Sequence, residues 1–189
     1  MPVENQRRRK PVRKVGGWLV LLCLSAAAAF ADQAMPGAVY GIWASSGTMI
    51  EISPDGQGGL SGRIIALKHP RFREKDRAGV VGEPKTDLHN PDPALQDRPL
   101  LGLDVLDDYR FHKGRWRGRL YLPTDGSSWA SKLFVRNGLL HVHGYLGLPL
   151  LGRTEKFSPI AACNPDIVRM IRVSGLEDTP CTPQLENNA

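Results

Sequence analysis

Two stretches of this chain gather the residue types that do chemistry. The first runs Asp87-Leu88-His89-Asn90-Pro91-Asp92-Pro93-Ala94-Leu95 and on to Asp97-Arg98, placing carboxylates, an amide, an imidazole and a guanidinium among prolines. Asx-Pro units favour turns closed by side chain to backbone bonds. The segment therefore reads as a self-capped loop over one end of the fold, or as a polar rim that orients a ligand at a barrel mouth. Its spacing does not fit a calcium loop, which needs acids at alternate positions around a central glycine. The second stretch is His141-Val142-His143, two imidazoles that share one face of a strand. Zinc needs a third ligand, which His112 or Asp104 would have to supply. The simpler reading is a solvated pair. Asp104, Asp107 and Asp108 offer paired carboxylates for acid–base work, or solvated acids near a strand end. A hydrolase reading requires Asp87, His89, His141 and Asp104 to converge in one cleft. The chain has no G-x-S-x-G elbow, phosphate loop or dinucleotide fingerprint. The expectation is a binding or structural protein, not an enzyme, with no cofactor and no metal.

The elements that must position these residues are short strands. β-prone runs alternate with Gly, Pro and Asn turns over Val39–Ala44, Thr48–Ser53, Leu60–Leu67, Leu101–His112, Arg115–Leu122, Ser128–Arg136, Leu139–Tyr145 and Leu150–Phe157. Asn137-Gly138 is the strongest hairpin signal among them. About eight strands in hairpin order is the number that closes a small antiparallel up-and-down barrel, so the fold class is all-β. The segment Lys68–Pro99, with five prolines, is too long and polar for a hairpin turn, and loops of that length are usually functional or disordered. One short helix is expected over Pro165–Arg172, capped by Asn164.

The N-terminus bears on compartment and charge. Residues 1–14 carry Arg7, Arg8, Arg9, Lys10, Arg13 and Lys14, an apolar run follows from Val15 to Phe30, and Ala29-Phe30-Ala31 is an A-x-A site. This pattern is that of a secretory signal, expected to be cleaved after Ala31, with an uncleaved membrane anchor as the alternative. It divides the chain into a leader over 1–31, a barrel domain over 32–160 and a C-terminal extension over 161–189. The whole chain has 25 Lys and Arg against 19 Asp and Glu; without the leader 19 and 18 remain, a net charge of +1. The basic footprint that a nucleic-acid binder needs is then missing from the balance. Cys163 and Cys181 remain as an even pair that an oxidising compartment would join; a metal or redox pair is the alternative.

Landmarks spread over Gly41–Phe157 make the sequence resemble a family. They are Gly41-Ile42-Trp43, Gly62-Arg63-Ile64, the Asp87–Leu95 run with Arg98-Pro99-Leu100, Trp116-Arg117-Gly118, Tyr121, Pro123 with Asp125-Gly126, Gly144-Tyr145, and Leu150-Leu151-Gly152-Arg153-Thr154. The chain resembles the DUF2147 family of bacterial exported proteins. That resemblance implies a lipocalin-like β-barrel in the bacterial envelope, with no assigned activity. Leu122, Trp129 and Phe157-Ser158 depart from the family pattern, and the cysteine-bearing tail is an addition to it. The candidate ligand-binding residues are Asp87, Asn90 and Arg98 of the polar segment, the aromatics Trp43, Trp116, Tyr121 and Tyr145, and Arg153. Trp43 is either a plain core aromatic or a ring at one barrel end on which Arg153 stacks. The expected partner is a small apolar ligand, with an envelope protein as the alternative. No nucleic acid is expected, and membrane contact only through the leader. The compartment is periplasmic or extracellular.

Overall fold

Two tight turns set the register of the sheet. Asn137 and Gly138 have φ of 53° and 72°, and Lys113 and Gly114 have 49° and 75°. Positive φ at both central residues matches a turn to the right-handed twist of its flanking strands. A computed structural model of the protein describes residues 35–76, 78–145, 147, 150, 152–176 and 181. The expected leader with its cleavage point after Ala31 lies outside the described residues, as does most of the tail beyond 176.

The strands are β1 (Gly41–Ala44), β2 (Thr48–Pro54), β3 (Gly59–Leu67), β4 (Asp104–His112), β5 (Arg115–Leu122), β6 (Ser127–Arg136), β7 (Leu139–Tyr145) and β8 (Arg153–Pro159). They form one closed barrel in sequence order, each strand antiparallel to the next. β8 returns to β1 through Trp43 opposite Pro159 and Ala44 opposite Ser158. This is the eight-stranded up-and-down barrel that the alternation predicts.

Three boundaries differ from the sequence expectation. Residues Pro36–Val39 form a 3-10 turn ahead of β1, because Pro36 fixes the first φ and the Val39 carbonyl is taken by the Trp43 indole at 2.8 Å. β4 begins at Asp104 and not at Leu101, since Leu103 N–H turns back to the Leu100 carbonyl at 3.2 Å. β8 begins at Arg153, where pairing with Gly144 starts, and not at Leu150.

The long segment between β3 and β4 is ordered by its own bonds. Isolated bridges pair Arg71 with Pro84 and Thr86 with Pro99. Asp76 accepts from Arg73 at 3.1 Å and from Lys85 at 3.0 Å, and these bonds, that from Arg73 foremost, hold its carboxyl below the usual carboxylate range.

Inward side chains such as Ile52, Leu60, Leu133 and Leu140 fill one end of the barrel. A second cluster lies on the outer face of β1–β3. There Ile167, Met170 and Ile171 of α1 (Pro165–Val173) cover Ala44, Met49 and Ala66. Asn164 caps the helix by accepting from Ile167 N–H at 3.0 Å. Cys163 and Cys181 are joined, with Cα atoms 5.4 Å apart. The cross-link spans 18 residues, a loop worth about 3 kcal/mol in the chain-entropy description. Cys181→Ser is therefore expected to lose about that much in a urea titration under oxidising conditions. An unchanged midpoint would show that the bridge does not constrain the unfolded chain.

Candidate functional site

The strands leave a cavity of about 490 Å³ at the end of the barrel bounded by the β5–β6 turn, the start of β2 and the start of β8. Its wall is apolar: Ile50, Ile64, Val105, Leu120, Val142 and Phe157. Gly144 stands where an inward side chain is due, so the wall is recessed there; a Cβ at Gly144 would lie 3.5 Å from Leu120, an ordinary contact.

The rim of this cavity is polar. Arg153, Glu155 and Phe157 share one face of β8 at period two; Phe157 is buried and the two charged residues are exposed at the mouth. Among the described residues neither Arg153 nor Glu155 has an ion-pair partner. On the opposite rim Trp129 Nε1 donates to Ser127 Oγ at 2.7 Å, and Ser127 in turn donates to Asp125 through its hydroxyl and its backbone N–H. These donors hold the Asp125 carboxyl below its ordinary range.

The polar segment meets this rim through Tyr121. Asp87 is fully buried. Its Oδ2 accepts from Arg98 Nε at 3.0 Å and Nη2 at 2.9 Å, and from Asn90 Nδ2 at 2.8 Å. Its Oδ1 accepts from the Tyr121 hydroxyl at 2.7 Å. Asn90 Nδ2 also reaches that hydroxyl at 3.0 Å, while Asn90 Oδ1 accepts from Asp92 N–H. Asp92 caps the short turn at Pro93–Leu95. Burial, then the bond to Asp87, push the Tyr121 hydroxyl above its ordinary pKa, so at neutral pH it is a donor. The loop also sits against the β5–β6 turn. Gly126 has a φ of 71°, and any Cβ there would collide with the His89 carbonyl.

Asp87, Asn90, Arg98 and Tyr121 thus form one cluster at the mouth. The other candidates lie elsewhere. Trp43 and Trp116 are buried in the main core and hold the 3-10 turn across the end away from the mouth, Trp116 Nε1 donating to the Pro36 carbonyl at 2.9 Å. Arg153 does not stack on Trp43. Trp43 faces Pro159 at the far end of β8, six residues and about 20 Å along the strand from Arg153. At the mouth it is the Arg98 guanidinium that sits over a ring, 5.9 Å from the Tyr121 centroid. Tyr145 points to the outer wall, under Lys132 at 5.2 Å. His141 and His143 are on that same outer wall, His141 stacked on Phe134 and His143 Nδ1 bonded to Thr154 Oγ1 at 2.8 Å. Asp104, Asp107 and Asp108 are exposed along β4. The residues of the hydrolase reading therefore do not converge: Asp87 is buried and His89 exposed within one loop, while His141 is on β7 and Asp104 on β4. Glu155, Trp129 and Gly144 were not among the candidates; the period-two pattern Arg153-x-Glu155-x-Phe157 was the signal that marks the first.

Known proteins agree with this architecture. A sequence model of the family DUF2147, described as an uncharacterized protein conserved in bacteria, matches residues 41–158. Protein HP1028 from the human pathogen Helicobacter pylori, which belongs to the lipocalin family, is similar in fold with a TM-score of 0.50 and 18% identity, over 70% of this chain and 88% of that one. No curated protein matches the chain. The barrel is lipocalin-like.

Proposed function

This chain belongs to the DUF2147 family of bacterial proteins, and from that premise we propose that it is an exported envelope protein that binds one small apolar ligand in the barrel mouth and is not an enzyme. The observation that carries the reading is the cavity of about 490 Å³ with an apolar wall and a polar rim. Ligand sites are concave, mostly apolar and furnished with a few polar groups that fix orientation. The ligand's apolar body would lie against Ile50, Ile64 and Val142, with any polar end at Arg153 and Glu155. The Asp87 cluster serves as the frame of the mouth, since its hydrogen-bonding groups are already committed to one another. Export is supported by the basic, apolar and A-x-A sequence of residues 1–31.

Gly144→Phe tests the reading, because the added ring enters the recess and takes up the cavity. An apolar fluorescent probe such as 1-anilinonaphthalene-8-sulfonate is expected to bind the variant at least about tenfold more weakly, a loss of roughly 1.4 kcal/mol, with the melting temperature unchanged. Equal binding by both proteins would count against a barrel site. A second reading, docking of an envelope protein, draws on Val80 and Val81 at the tip of the long segment, 70% and 58% exposed. It differs in expecting Gly144→Phe to leave cross-linking to that partner intact.

A further inference from the structure

The outer wall formed by β5, β6, β7 and β8 is a field of cations. Register sets Arg117, Lys132, His143 and Thr154 in one row across the four strands. Phe134, His141 and Lys156 form the row on one side of it, and Arg119, Ala130 and Tyr145 the row on the mouth side. Arg115 lies 4.4 Å from the Phe134 centroid. The sole acid in these four strands is Glu155, and it faces the cavity. Arg117, Arg119 and Lys156 are exposed and have no ion-pair partner among the described residues. Acids appear at the border, on β4: Asp107 stands opposite Arg119, and Asp108 follows it. A near-neutral charge balance thus conceals a one-sided distribution.

We infer that this wall is a docking surface for a bilayer of anionic lipid. Its cations repeat at ~4.8 Å across strands and ~6.6 Å along them, the spacings of any sheet, and so present an array to a plane of negative headgroups. Each Lys or Arg close to such a plane raises partition by about fivefold. A nucleic acid suits the wall less. It offers no helix or ribbon to enter a groove, and the rings of Phe134 and Tyr145, on which bases would stack, are already covered by Arg115, His141 and Lys132. The inference is independent of the cavity.

The test is co-sedimentation of the full chain with vesicles of phosphatidylglycerol and phosphatidylethanolamine, against vesicles of phosphatidylcholine alone. The variant Arg117→Gln/Arg119→Gln/Lys156→Gln keeps the same N-terminal segment. It is expected to partition on the order of a hundredfold more weakly onto the anionic vesicles. Binding of the unmodified chain is expected to fall in 1 M salt, where screening acts within about 3 Å. Arg7→Gln/Arg8→Gln/Arg9→Gln measures the share of the leader. Equal sedimentation of the Arg117 variant and the parent overturns the inference, as does binding of duplex DNA in preference to vesicles. Should that variant fold poorly, hydrogen exchange on the unmodified chain decides: protection of 115–145 on adding anionic vesicles supports the wall, and unchanged exchange there overturns it.

Discussion

Asp87→Ala is expected to melt about 10 °C below the parent protein. Its carboxylate is fully buried and accepts from Arg98, Asn90 and Tyr121. Removing one partner of a buried pair typically costs about 3–5 kcal/mol, because the partner is left uncompensated. The Arg98 side chain is 38% exposed, so water recovers part of its loss and the lower end of the range applies. At about 2–4 °C per kcal/mol for a chain of this size, that end gives a fall near 10 °C. Asp87→Asn keeps some acceptors and should fall between the two. Circular dichroism melts measure both, and proteolysis across residues 84–100 should quicken in the alanine variant first. A melting temperature within a degree or two of the parent would mean that the loop is held by its backbone bonds alone, among them Asp87 N–H to the Arg98 carbonyl at 3.0 Å.

The second large effect belongs to the opposite end of the barrel. Trp116→Ala should lose about 4 kcal/mol in urea unfolding, within the usual range for a buried tryptophan. Trp116 is 3% exposed, packs edge-on against Phe111 at 5.4 Å and beside Tyr40 at 6.1 Å, and donates to the Pro36 carbonyl. Truncation removes the packing and frees the 3-10 turn over Pro36–Val39 together. Cleavage near Tyr40 by chymotrypsin should therefore accelerate in proportion to the lost stability. Trp129→Ala, at the wet rim, is the comparison: it should cost clearly less, and a loss equal to that of Trp116→Ala would contradict the division into a packed end and an open one.

The barrel was legible because alternation and turn chemistry are local signals. Asn137-Gly138 and Lys113-Gly114 place two hairpins by themselves, and the inward set Trp129, Ser131, Leu133 and Val135 follows from period two. Strand starts were less legible at Leu101 and Leu150, because a strand begins where its neighbour offers partners: Arg63, the partner of Asp104, is distant in sequence, and the pairing that opens β8, Gly144 with Arg153, leaves Leu150 outside it. The Asp87, Asn90, Arg98 and Tyr121 cluster was half legible. Three of its members share one proline-rich segment, but the ring that receives Arg98 comes from β5, and only the folded chain shows Arg98 on Tyr121 in place of the expected Arg153 on Trp43. The cationic wall was hidden for a different reason. A sum over the chain cannot register that Arg117, Lys132 and Lys156 face one side while Asp87 and Asp166 lie elsewhere.

The seam between β8 and β1 has only two paired positions, Trp43 with Pro159 and Ala44 with Ser158, and it joins the first strand to the last. Its formation must wait until nearly the whole sheet is in place, since its loop-closure entropy is repaid only by contacts already made. Until then β1 carries a raw edge able to pair with another chain. Because α1 follows β8 after a 3-10 turn at Ile160–Ala162 and packs against the outside of β1–β3, it acts as a latch beside that joint. Helix packing next to the joint thus favours its closure over pairing of the β1 edge with another chain, an effect on assembly separate from anything the finished barrel holds.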